Sequence, residues 1–547
     1  MELFSEWLPV PKQSHPQARP CGLPSASLCS VPYGSLASLA SYLGTWMQNV
    51  GGVWLMTSLT SSSLLVSLMQ TATTLPVFLV GLPAGALADI VDRRRLLLLT
   101  QGLMLAAAMA LSICTLLGIA NPWLLLGLTF LLGLGAAMTG PAWQAITPEL
   151  VGRSQLSQAI ALNSIGFSLS RAVGPAIGGL VVAAAGPGAV FLLNALSFVG
   201  VMVVLYTWRR PRTHSLLPPE HIGEAIEAGL RYTHYAPSLQ AVLVHVGAFI
   251  ACGSALWALL PLIARQELGL EALGYGVLLG CLGVGAVVGG VLLPTFQRWL
   301  SMDRLAIAMT LVFALATLAL AYIRSLPWLY LALTVGGLAW PVLLSSLTVS
   351  VQTVVPAWVQ ARALAVYGLV FQGGLALGSA LWGIVAERTG SPTALMYAAV
   401  GLVVGGLATT RWHLNANQDL DLSPSLHWSE PTTVMELAPE DGPVLITVEY
   451  QIEPEHSQEF VQAMQQVGLS RRRDGAIRWG LYRDPANPSR HVETFVVKSW
   501  AEHLRQHERV TVADRLAEEQ ARAFHIGKES PIVLHLIYAH PKQDLQS

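Results

Sequence analysis

Charged residues are scarce in this sequence of 547 residues. They make up 12% of the chain, whereas a soluble globular domain carries roughly a quarter. No lysine occurs between Lys12 and Lys498, and hydrophobic residues reach 53%. The formal net charge of -1 leaves no basic surface to neutralise the phosphates of a nucleic acid. The composition therefore argues against nucleic-acid binding and indicates that most of the chain is embedded in a lipid bilayer.

Cysteine patterns and nucleotide-binding loops are also missing. The five cysteines form no CxxC pair and no framework spacing. There is no P-loop, so we expect no ATP hydrolysis. The sequence has no flavin loop and no metal-ligand spacing, and we therefore expect neither a cofactor nor a metal site. Residues 1–30 contain no continuous apolar stretch, so no cleavable signal is expected.

The two halves of the sequence repeat each other at one constant shift. Adding 204 to a position moves Gly81 onto Gly285, Gly133 onto Gly337 and Gly179 onto Gly383. Chance would seldom place so many glycines in phase across one ungapped offset. Many secondary transporters are built from duplicated helical halves around a central path. The repeat therefore predicts a cavity between two halves.

Long apolar segments follow one another through most of the chain. A helix needs about 20 apolar residues to cross a bilayer. Twelve segments meet this requirement, namely residues 33–57, 64–88, 96–118, 122–147, 157–185, 188–208, 238–263, 272–296, 304–323, 326–354, 363–386 and 392–412. The predicted fold class is an all-α polytopic membrane protein with two pseudo-symmetric halves of six helices, followed by a small α+β domain.

Arginines concentrate in alternate connections between these segments. The opposite connections hold only Arg265, Arg324 and Arg388. Loops rich in arginine remain in the cytoplasm. Both termini are therefore predicted to be cytoplasmic, in a multi-pass protein of the cell (inner) membrane. The arginines that carry this prediction are Arg93, Arg94, Arg95, Arg153, Arg209, Arg210, Arg212, Arg231, Arg298, Arg304, Arg362 and Arg411.

The composition changes abruptly after Arg411. The order of apolar patterns beyond the linker is βαββαβ, which predicts a ferredoxin-like domain. Its strands are predicted at 444–452, 477–482, 491–497 and 532–537, and its helices at 455–470 and 500–522. The predicted parts of the chain are a cytoplasmic, disordered segment 1–32, the first half 33–208, a central loop 209–237, the second half 238–412, a polar linker 413–442 and the small domain 443–541. Within the central loop, residues 221–235 are predicted to form a surface helix along the cytoplasmic face.

A short motif lies where the second span meets the cytoplasm. Gly85, Asp89, Arg93 and Arg94 have the spacing of the signature loop of the major facilitator superfamily, which they resemble. In that interpretation Asp89 caps a helix N-terminus across the interface of the halves and biases the gating equilibrium. The alternative is a plain stop sequence of Arg93 to Arg95 without a switching role.

The fifth span carries a small-residue face and a buried charge. Gly174, Pro175, Gly178 and Gly179 resemble the core of the superfamily's antiporter motif, although a general small-residue interface remains the alternative. Arg171 precedes them, and an arginine at the bilayer centre costs at least about 2.5–3.5 kcal/mol unless it finds a partner or a wet cavity. We expect Arg171 to bind an anionic or polar group of the substrate. A structural bond to a buried carbonyl and snorkelling are the alternatives.

Three amides also lie in apolar spans. Gln48 and Asn49 occur in the first span and Gln372 in the eleventh. An amide inside the membrane must form hydrogen bonds. Contacts that join helices are the default interpretation, and contact with the substrate is the second.

The resemblance to a known family extends over nearly the whole chain. Residues 33–412 resemble a twelve-helix major facilitator, and the start of the first span, the Asp89 loop and Arg171 are most similar to the branch of enterobactin-type exporters. The whole chain resembles the transmembrane secretion effector group, whose extra domain is similar to antibiotic-biosynthesis monooxygenases. Residues 499–509 are its most recognisable stretch. There, Trp500, His503 and His507 share a helical face that suits either a pocket or core packing.

These observations predict a secondary active transporter rather than an enzyme. It is expected to export a small amphipathic metabolite, siderophore or drug by alternating access coupled to an ion, with proton antiport favoured over another coupling ion. The predicted partners are the lipid bilayer, the small-molecule substrate and the proton, with self-association through the C-terminal domain. The alternatives are a membrane-tethered enzyme that uses the C-terminal domain, or a sensor that carries no solute.

Overall fold

The computed structural model describes residues 27–150, 156–207, 222–414, 420–428 and 437–539. Its membrane part is a bundle of long apolar helices. They are α1 (Ser27–Leu59), α2 (Ser63–Ile90), α3 (Arg93–Leu116), α4 (Pro122–Leu150), α5 (Leu156–Thr207), α7 (Pro237–Leu262), α8 (Ala272–Trp299), α9 (Met302–Tyr322), α10 (Leu326–Val354), α11 (Gln360–Thr389) and α12 (Ser391–Ala408). Helix α6 (Ile222–Tyr235) lies between the halves in the sequence.

Ten helices in the described residues are long and apolar enough to cross a membrane. Helix α5 counts once among them, although its apolar part (Asn163–Thr207) has 45 residues. The helix is interrupted at Gly186, where φ is 80° and ψ is 168°, a conformation that glycine adopts readily. This break falls between the predicted fifth and sixth spans. Helix α1 begins at Ser27, earlier than the predicted 33, and residues 1–26 lie outside the described part.

The helices form two groups that meet along two helix pairs. In the first half α1 and α3 pack on α5, and α2 and α3 pack on α4. In the second half α7 packs on α11 and α12, α8 on α10, and α9 on α10 and α12. Helix α2 packs against α11 and α5 against α8, and these two pairs join the halves. We call the end of the bundle next to α6 the domain side and the opposite end the far side.

The C-terminal region is a small α+β domain, as predicted. Its antiparallel sheet has the order β2-β3-β1-β4, with β1 (Val444–Gln451), β2 (Arg478–Arg483), β3 (Arg490–Val497) and β4 (Ile532–Ile537). Strand β1 pairs with β3 and β4 on its two sides. Alternate β1 side chains are buried, and they pack with Phe460 and Met464 of α13 (Ser457–Asp474). Period-two burial on one face of the sheet explains why the sequence pattern located these strands.

Two predictions for this region need correction. The predicted helix 500–522 is divided into α14 (Trp500–Arg509) and α15 (Val512–Arg522). Thr511 starts α15 with a capping box: its hydroxyl accepts a hydrogen bond from the Asp514 amide, and the Asp514 carboxylate accepts one from the Thr511 amide. Part of the predicted linker, residues 420–428, lies against the domain, where Pro424 pairs with Thr511 as an isolated bridge.

Helix α6 is confirmed as a helix, but its position differs from the prediction of a surface helix. It packs between α11 of the second half and α13 of the C-terminal domain. Ala228 and Tyr232 are buried, and Gly229 faces the Arg362 side chain. The helix is therefore covered on two sides, by the bundle and by the C-terminal domain.

Candidate substrate site between the two halves

The halves are in close contact from the far side to the middle of the bundle. A methyl group at Gly179 would lie 2.6 Å from the carbonyl oxygen of Ala272, and one at Gly276 would lie 2.7 Å from that of Pro175. In the other pair, a methyl group at Gly383 would lie 2.7 Å from the Ser67 side chain. Only a missing side chain permits such an approach of two helix backbones.

The same helix pairs are not in close contact towards the domain side. A methyl group at Gly290 of α8 or at Gly368 of α11 would meet nothing within 4 Å. Ile165, Phe167 and Leu169 of α5 are exposed on this side. The two halves therefore touch at the far side and diverge towards the domain side.

Polar and aromatic contacts strengthen the far-side closure. The Glu387 carboxylate of α11 accepts hydrogen bonds from the Ser62 hydroxyl (3.2 Å) and the Leu64 amide (3.1 Å), at the start of α2. Acceptors at a helix N-terminus satisfy its free amides, and a negative charge there is stabilised by the helix dipole.

A second contact lies between α1 and the end of α7. Arg265 donates to the Thr57 hydroxyl (3.0 Å), and its guanidinium group lies 5.2 Å from the Trp54 ring centroid. Trp54 also stacks on Tyr275 of α8, with 6.0 Å between ring centroids. These contacts, like those of Glu387, join one half to the other.

Arg171 lies where the two halves meet in the middle of the bundle. Its guanidinium carbon is 5.8 Å from the ring of Trp46 on α1 and 5.9 Å from the ring of Trp257 on α7. No carboxylate among the described residues forms an ion pair with it. The indole N–H of Trp257 is buried and has no acceptor within the described structure. The arrangement offers a cation, two aromatic faces and a free donor, which suits an anion with a flat apolar body.

The glycines that follow Arg171 allow α5 to pack closely against helices of both halves. A methyl group at Gly174 would lie 2.7 Å from the Trp46 Cβ, and one at Gly178 would lie 2.8 Å from the Met47 Cα. Gly179 faces the second half instead. The predicted small-residue face is therefore a contact surface for α1 and α8, and Pro175 contributes its carbonyl to the α8 side.

The three predicted amides differ in their surroundings. Gln48 is buried and its carbonyl oxygen accepts a hydrogen bond from the Asn194 amide, so it joins α1 to α5 inside the first half. Asn49 and Gln372 are half-buried, and no hydrogen bond of either side chain occurs among the described residues. The last two remain candidates for contact with the substrate.

The predicted gating motif is described only in part. Gly85 and Asp89 lie in the last turns of α2, and the side chain of Asp89 lies outside the described part.

Asp92 caps α3 by accepting from the Arg95 amide (2.9 Å). Arg94 donates to the carbonyls of Leu205 (2.8 Å) and Tyr206 (2.6 Å). Arg94 thus neutralises the C-terminal end of α5 within the first half. Arg93 is the first residue of α3.

The C-terminal domain gathers the three residues predicted for a pocket and adds two more. The His503 and His507 Nε2 atoms are 3.3 Å apart. The Trp500 ring lies 5.4 Å from that of His503, which in turn lies 4.7 Å from His535 of β4. Trp428 of the predicted linker lies 4.9 Å from His507. These rings pack against one another, as the side chains of a hydrophobic core do.

The histidines of this cluster are held neutral. Burial, followed by the neighbouring His507 and His535, lowers the pKa of His503 to about 3. Burial, with His535 and Arg471 beside it, lowers the pKa of His507 to about 4. Within the described residues, no group of three or more His, Cys, Asp or Glu side chains is arranged to hold a metal ion.

A buried charge cluster lies next to the histidines. Arg471 of α13 donates to Glu493 (3.1 Å) and Glu518 (2.6 Å). Although burial opposes it, Arg471 and hydrogen bonds from His427 and Trp428 lower the pKa of Glu518 to about 2. The cluster ties the linker segment, the sheet and two helices together.

The profile of the transmembrane secretion effector family matches residues 35–543. The chain belongs to this family. The match includes both membrane halves and the C-terminal domain, so the resemblance found in the sequence is confirmed at the level of the family.

Three relatives are similar to this chain over 43% to 72% of its length. The staphyloferrin A transporter of Staphylococcus aureus is 21% identical over 72% of this chain and 98% of that protein. The multidrug efflux pump Tap of Mycolicibacterium fortuitum is 25% identical over 71% of this chain and 96% of that protein. The enterobactin exporter EntS of Shigella boydii is 30% identical over 43% of this chain and 55% of that protein.

Solved structures of transporters share the fold of the membrane part of this chain. A bacterial homologue of the lysosomal transporter Spinster, in an inward-facing and unoccupied conformation, has a TM-score of 0.56 at 15% identity, covering 72% of this chain and 98% of that one. A mutant form of the nucleoside transporter NupG has a TM-score of 0.60 at 12% identity, covering 70% and 99%. The membrane part therefore has the fold of a major facilitator.

Three residues of the two clusters were not predicted from the sequence. Trp257 completes the surroundings of Arg171, and His535 and Trp428 complete the histidine cluster. A lone tryptophan in an apolar span and a lone histidine in a strand carry no periodic signal. Only the packing of α7 on α1, and of α14 on β4, brings them to these positions.

Proposed function

We propose that the chain is a secondary active transporter that exports a small amphipathic anion by alternating access coupled to proton antiport. The single observation that carries this proposal is the position of Arg171. It lies between aromatic rings of both halves without a described carboxylate partner. A cation in an apolar bundle is retained where a ligand or water compensates its charge. A site made by both halves is reached from one side of the membrane or the other as the halves rock.

The arginine distribution supports the orientation. The arginine-rich connections lie on the domain side, which the positive-inside rule assigns to the cytoplasm. Both termini are then cytoplasmic, in a cell membrane. The far side is outside, and its closure makes this conformation inward-facing.

Three finer parts of the architecture belong to the same proposal. Helix α5 supplies two spans on either side of Gly186, and α1 is the first span, which brings the total to twelve. The strand order β2-β3-β1-β4 supports a ferredoxin-like domain. The likeness of this domain to antibiotic-biosynthesis monooxygenases remains a prediction from the sequence.

The relatives support the class of substrate. Two of them are named for the siderophores staphyloferrin A and enterobactin, and a third is named for multidrug efflux. An anionic, partly aromatic molecule fits the surroundings of Arg171. Export is the direction that the names of EntS and Tap support.

Self-association through the C-terminal domain is supported by the outer face of its sheet. Ile532, Leu534 and Leu536 alternate along the edge strand β4 and are exposed on the face away from the helices. An apolar edge strand readily pairs with another chain. Light scattering of the detergent-solubilised full chain should give a dimer mass, and Leu534→Glu should give a monomer.

Transport by purified protein in liposomes tests the main proposal. Carboxyfluorescein serves as an anionic aromatic probe and ethidium as a cationic one, under an imposed proton gradient. We expect gradient-dependent movement of carboxyfluorescein that an ionophore abolishes. Arg171→Leu should abolish it and Arg171→Lys should retain part of it. Arg324→Leu is the control, because Arg324 pairs with Glu267 outside the site. Equal movement by Arg171→Leu would overturn the site assignment, and a preference for ethidium would overturn the anionic substrate.

A further inference from the structure

Helix α6 contacts the C-terminal domain through a buried ion pair. The Arg231 guanidinium donates to the Glu502 carboxylate of α14 at 2.9 Å, and the two side chains are 13% and 12% exposed. Glu502 also accepts from Arg509 of its own helix at 2.7 Å. Although burial opposes it, the bond from Arg509 and the charges of Arg509 and Arg231 lower the pKa of Glu502. Glu502 is therefore held charged between one arginine of the domain and one of α6.

Aromatic rings make a second contact at the same place. The Arg509 guanidinium carbon lies 4.6 Å from the ring of Trp358, in the connection between α10 and α11. Trp358 meets Tyr232 of α6 edge to face at 5.7 Å. Arg473 of α13 lies 5.5 Å from the Tyr232 ring. Two arginines of the domain thus cover two aromatic rings that belong to α6 and the second half.

These contacts join the domain to the second half. Helix α6 packs on α11, and Trp358 lies two residues before the start of α11. Asp303 of α9 also accepts from the Leu414 amide (2.8 Å), where the chain leaves the bundle. If the domain separated from the bundle, Arg231 and Glu502 would lose each other, and Arg509 would lose the ring of Trp358. Breaking a buried ion pair is strongly destabilising.

Helix α14 has a second face with a different environment. His503 and His507 lie towards β4 and the linker, whereas Glu502 and Arg509 lie towards α6 and Trp358. A displacement of the histidine face therefore moves Glu502, because both belong to one rigid helix of ten residues.

We propose that the C-terminal domain is a fixed extension of the second half and regulates the transport cycle through the contact of α14 with α6. This inference rests on the proposed transport function. The domain moves with the second half when the halves rock, so its position relative to the first half changes. Anything that shifts α14 changes the free-energy difference between the transport states, because it changes where the rigidly held domain lies relative to the first half, and that position differs between the states.

Distances between spin labels test the rigid attachment without any transport. Labels are placed in a chain whose five native cysteines are replaced by serine. One label replaces Glu508 of the domain, and the other replaces either Trp299 of the second half or Leu99 of the first half. Gly179→Ala disturbs the far-side closure and serves to change the state. We expect the 508–299 distance to stay constant and the 508–99 distance to shift. Equal shifts in both distances would overturn the attachment.

Transport of carboxyfluorescein tests the regulation. Arg231→Ala should broaden the 508–299 distribution and change the rate by about fivefold or more, the usual range of allosteric coupling. Glu502→Gln keeps the volume and should act in the same direction. Arg515→Ala is the control, because Arg515 pairs with Glu519 on α15. A broadened distribution with an unchanged rate would overturn the regulatory role. A wild-type chain that moves no dye would overturn the proposed function, while the distances still decide the attachment.

Discussion

Glu387 at the end of α11 accepts a hydrogen bond of 3.1 Å from the backbone amide of Leu64 in the first turn of α2. The two residues belong to different halves, so the bond exists only while the far side is closed. A carboxylate at this position acts as a helix cap supplied by another helix. The repeat in the sequence does not indicate this contact. A single glutamate at the end of one helix is enough to cap a helix of the other half, and a single residue leaves no repeated pattern.

Replacing Glu387 by alanine should loosen the far side. Loss of a helix cap costs about 0.5–2 kcal/mol, so the far-open population should rise about fivefold. Ser67→Cys provides the measurement, since Ser67 is buried against Gly383 in the closed state. A membrane-impermeant maleimide added from the far side should label the introduced thiol faster in the Glu387→Ala background. Arg324→Ala is the control, and an unchanged labelling rate would contradict the capping role.

Gly179→Ala should weaken the contact between α5 and α8. The added methyl group would lie 2.6 Å from the Ala272 carbonyl oxygen, which belongs to the backbone and is not easily displaced. Overpacking of this kind costs about 1–3 kcal/mol. The melting temperature of the protein in detergent should fall. Gly290→Ala is the matched control, since a methyl group there meets nothing within 4 Å. Similar melting temperatures for the two variants would show that the halves are not in contact at Gly179.

Trp257→Phe should weaken substrate binding without abolishing transport. The variant retains an aromatic face near Arg171 but removes the buried N–H that has no acceptor among the described residues. A hydrogen bond to a charged group contributes about 1.5–3 kcal/mol, so the apparent KM for an anionic dye should rise about tenfold or more. Trp412→Phe, outside the site, is the control. If the KM stays at the wild-type value, Trp257 does not donate to the substrate.

The C-terminal domain should lose stability on acidification below about pH 6.5. The pKa values of His503 and His507 are lowered to about 3 and about 4, so the unfolded chain takes up protons that the folded domain does not. The stability is fully present above pH 6.5 and is lost as the pH falls towards 4, by ~1.4 kcal/mol per pH unit for each proton. Glu518, with its pKa lowered to about 2, adds a loss below pH 4.5. Burial raises the pKa of Asp474 to about 6 although Arg473 opposes the rise, which offsets part of the loss between pH 6 and 3.8.

Thermal unfolding of the full chain between pH 7.5 and 4.5 measures this effect through the fluorescence of the domain's tryptophans. His503→Gln should flatten the pH dependence because it removes one of the two titrating groups. His413→Gln is a control, since His413 is exposed. A slope that is equal in wild type and His503→Gln would show that the histidine cluster does not set the acid response.

The membrane helices were predictable because their signal is local. Runs of apolar residues define a span whatever they pack against, and the break at Gly186 coincides with the gap between two predicted spans. The strands were predictable for the same reason, since one buried face gives a period of two. The split of helix 500–522 was missed because a capping threonine inside an amphipathic pattern resembles an ordinary polar residue.

Of the residues in the candidate site, only the charged one could be predicted from the sequence. Arg171 stands out because an arginine in an apolar span is costly, whereas Trp257 does not stand out among apolar neighbours. Gln48 agrees with the default interpretation of an amide that joins helices, because the structure gives it Asn194 as a partner within the first half. Polarity indicates that a residue needs a partner but does not indicate which one.

The order of the residues alone indicates a duplicated bundle of membrane helices followed by a small α+β domain. Amino-acid composition and the periodicity of apolar residues depend on residues that are close in the sequence, so neither requires a tertiary contact. The packed helices were needed to establish that the halves close at the far side, that Arg171 lies between two tryptophans of different halves, and that Arg231 joins α6 to Glu502. Each of these contacts unites residues that are far apart in the chain, so their chemistry exists only after the helices have packed.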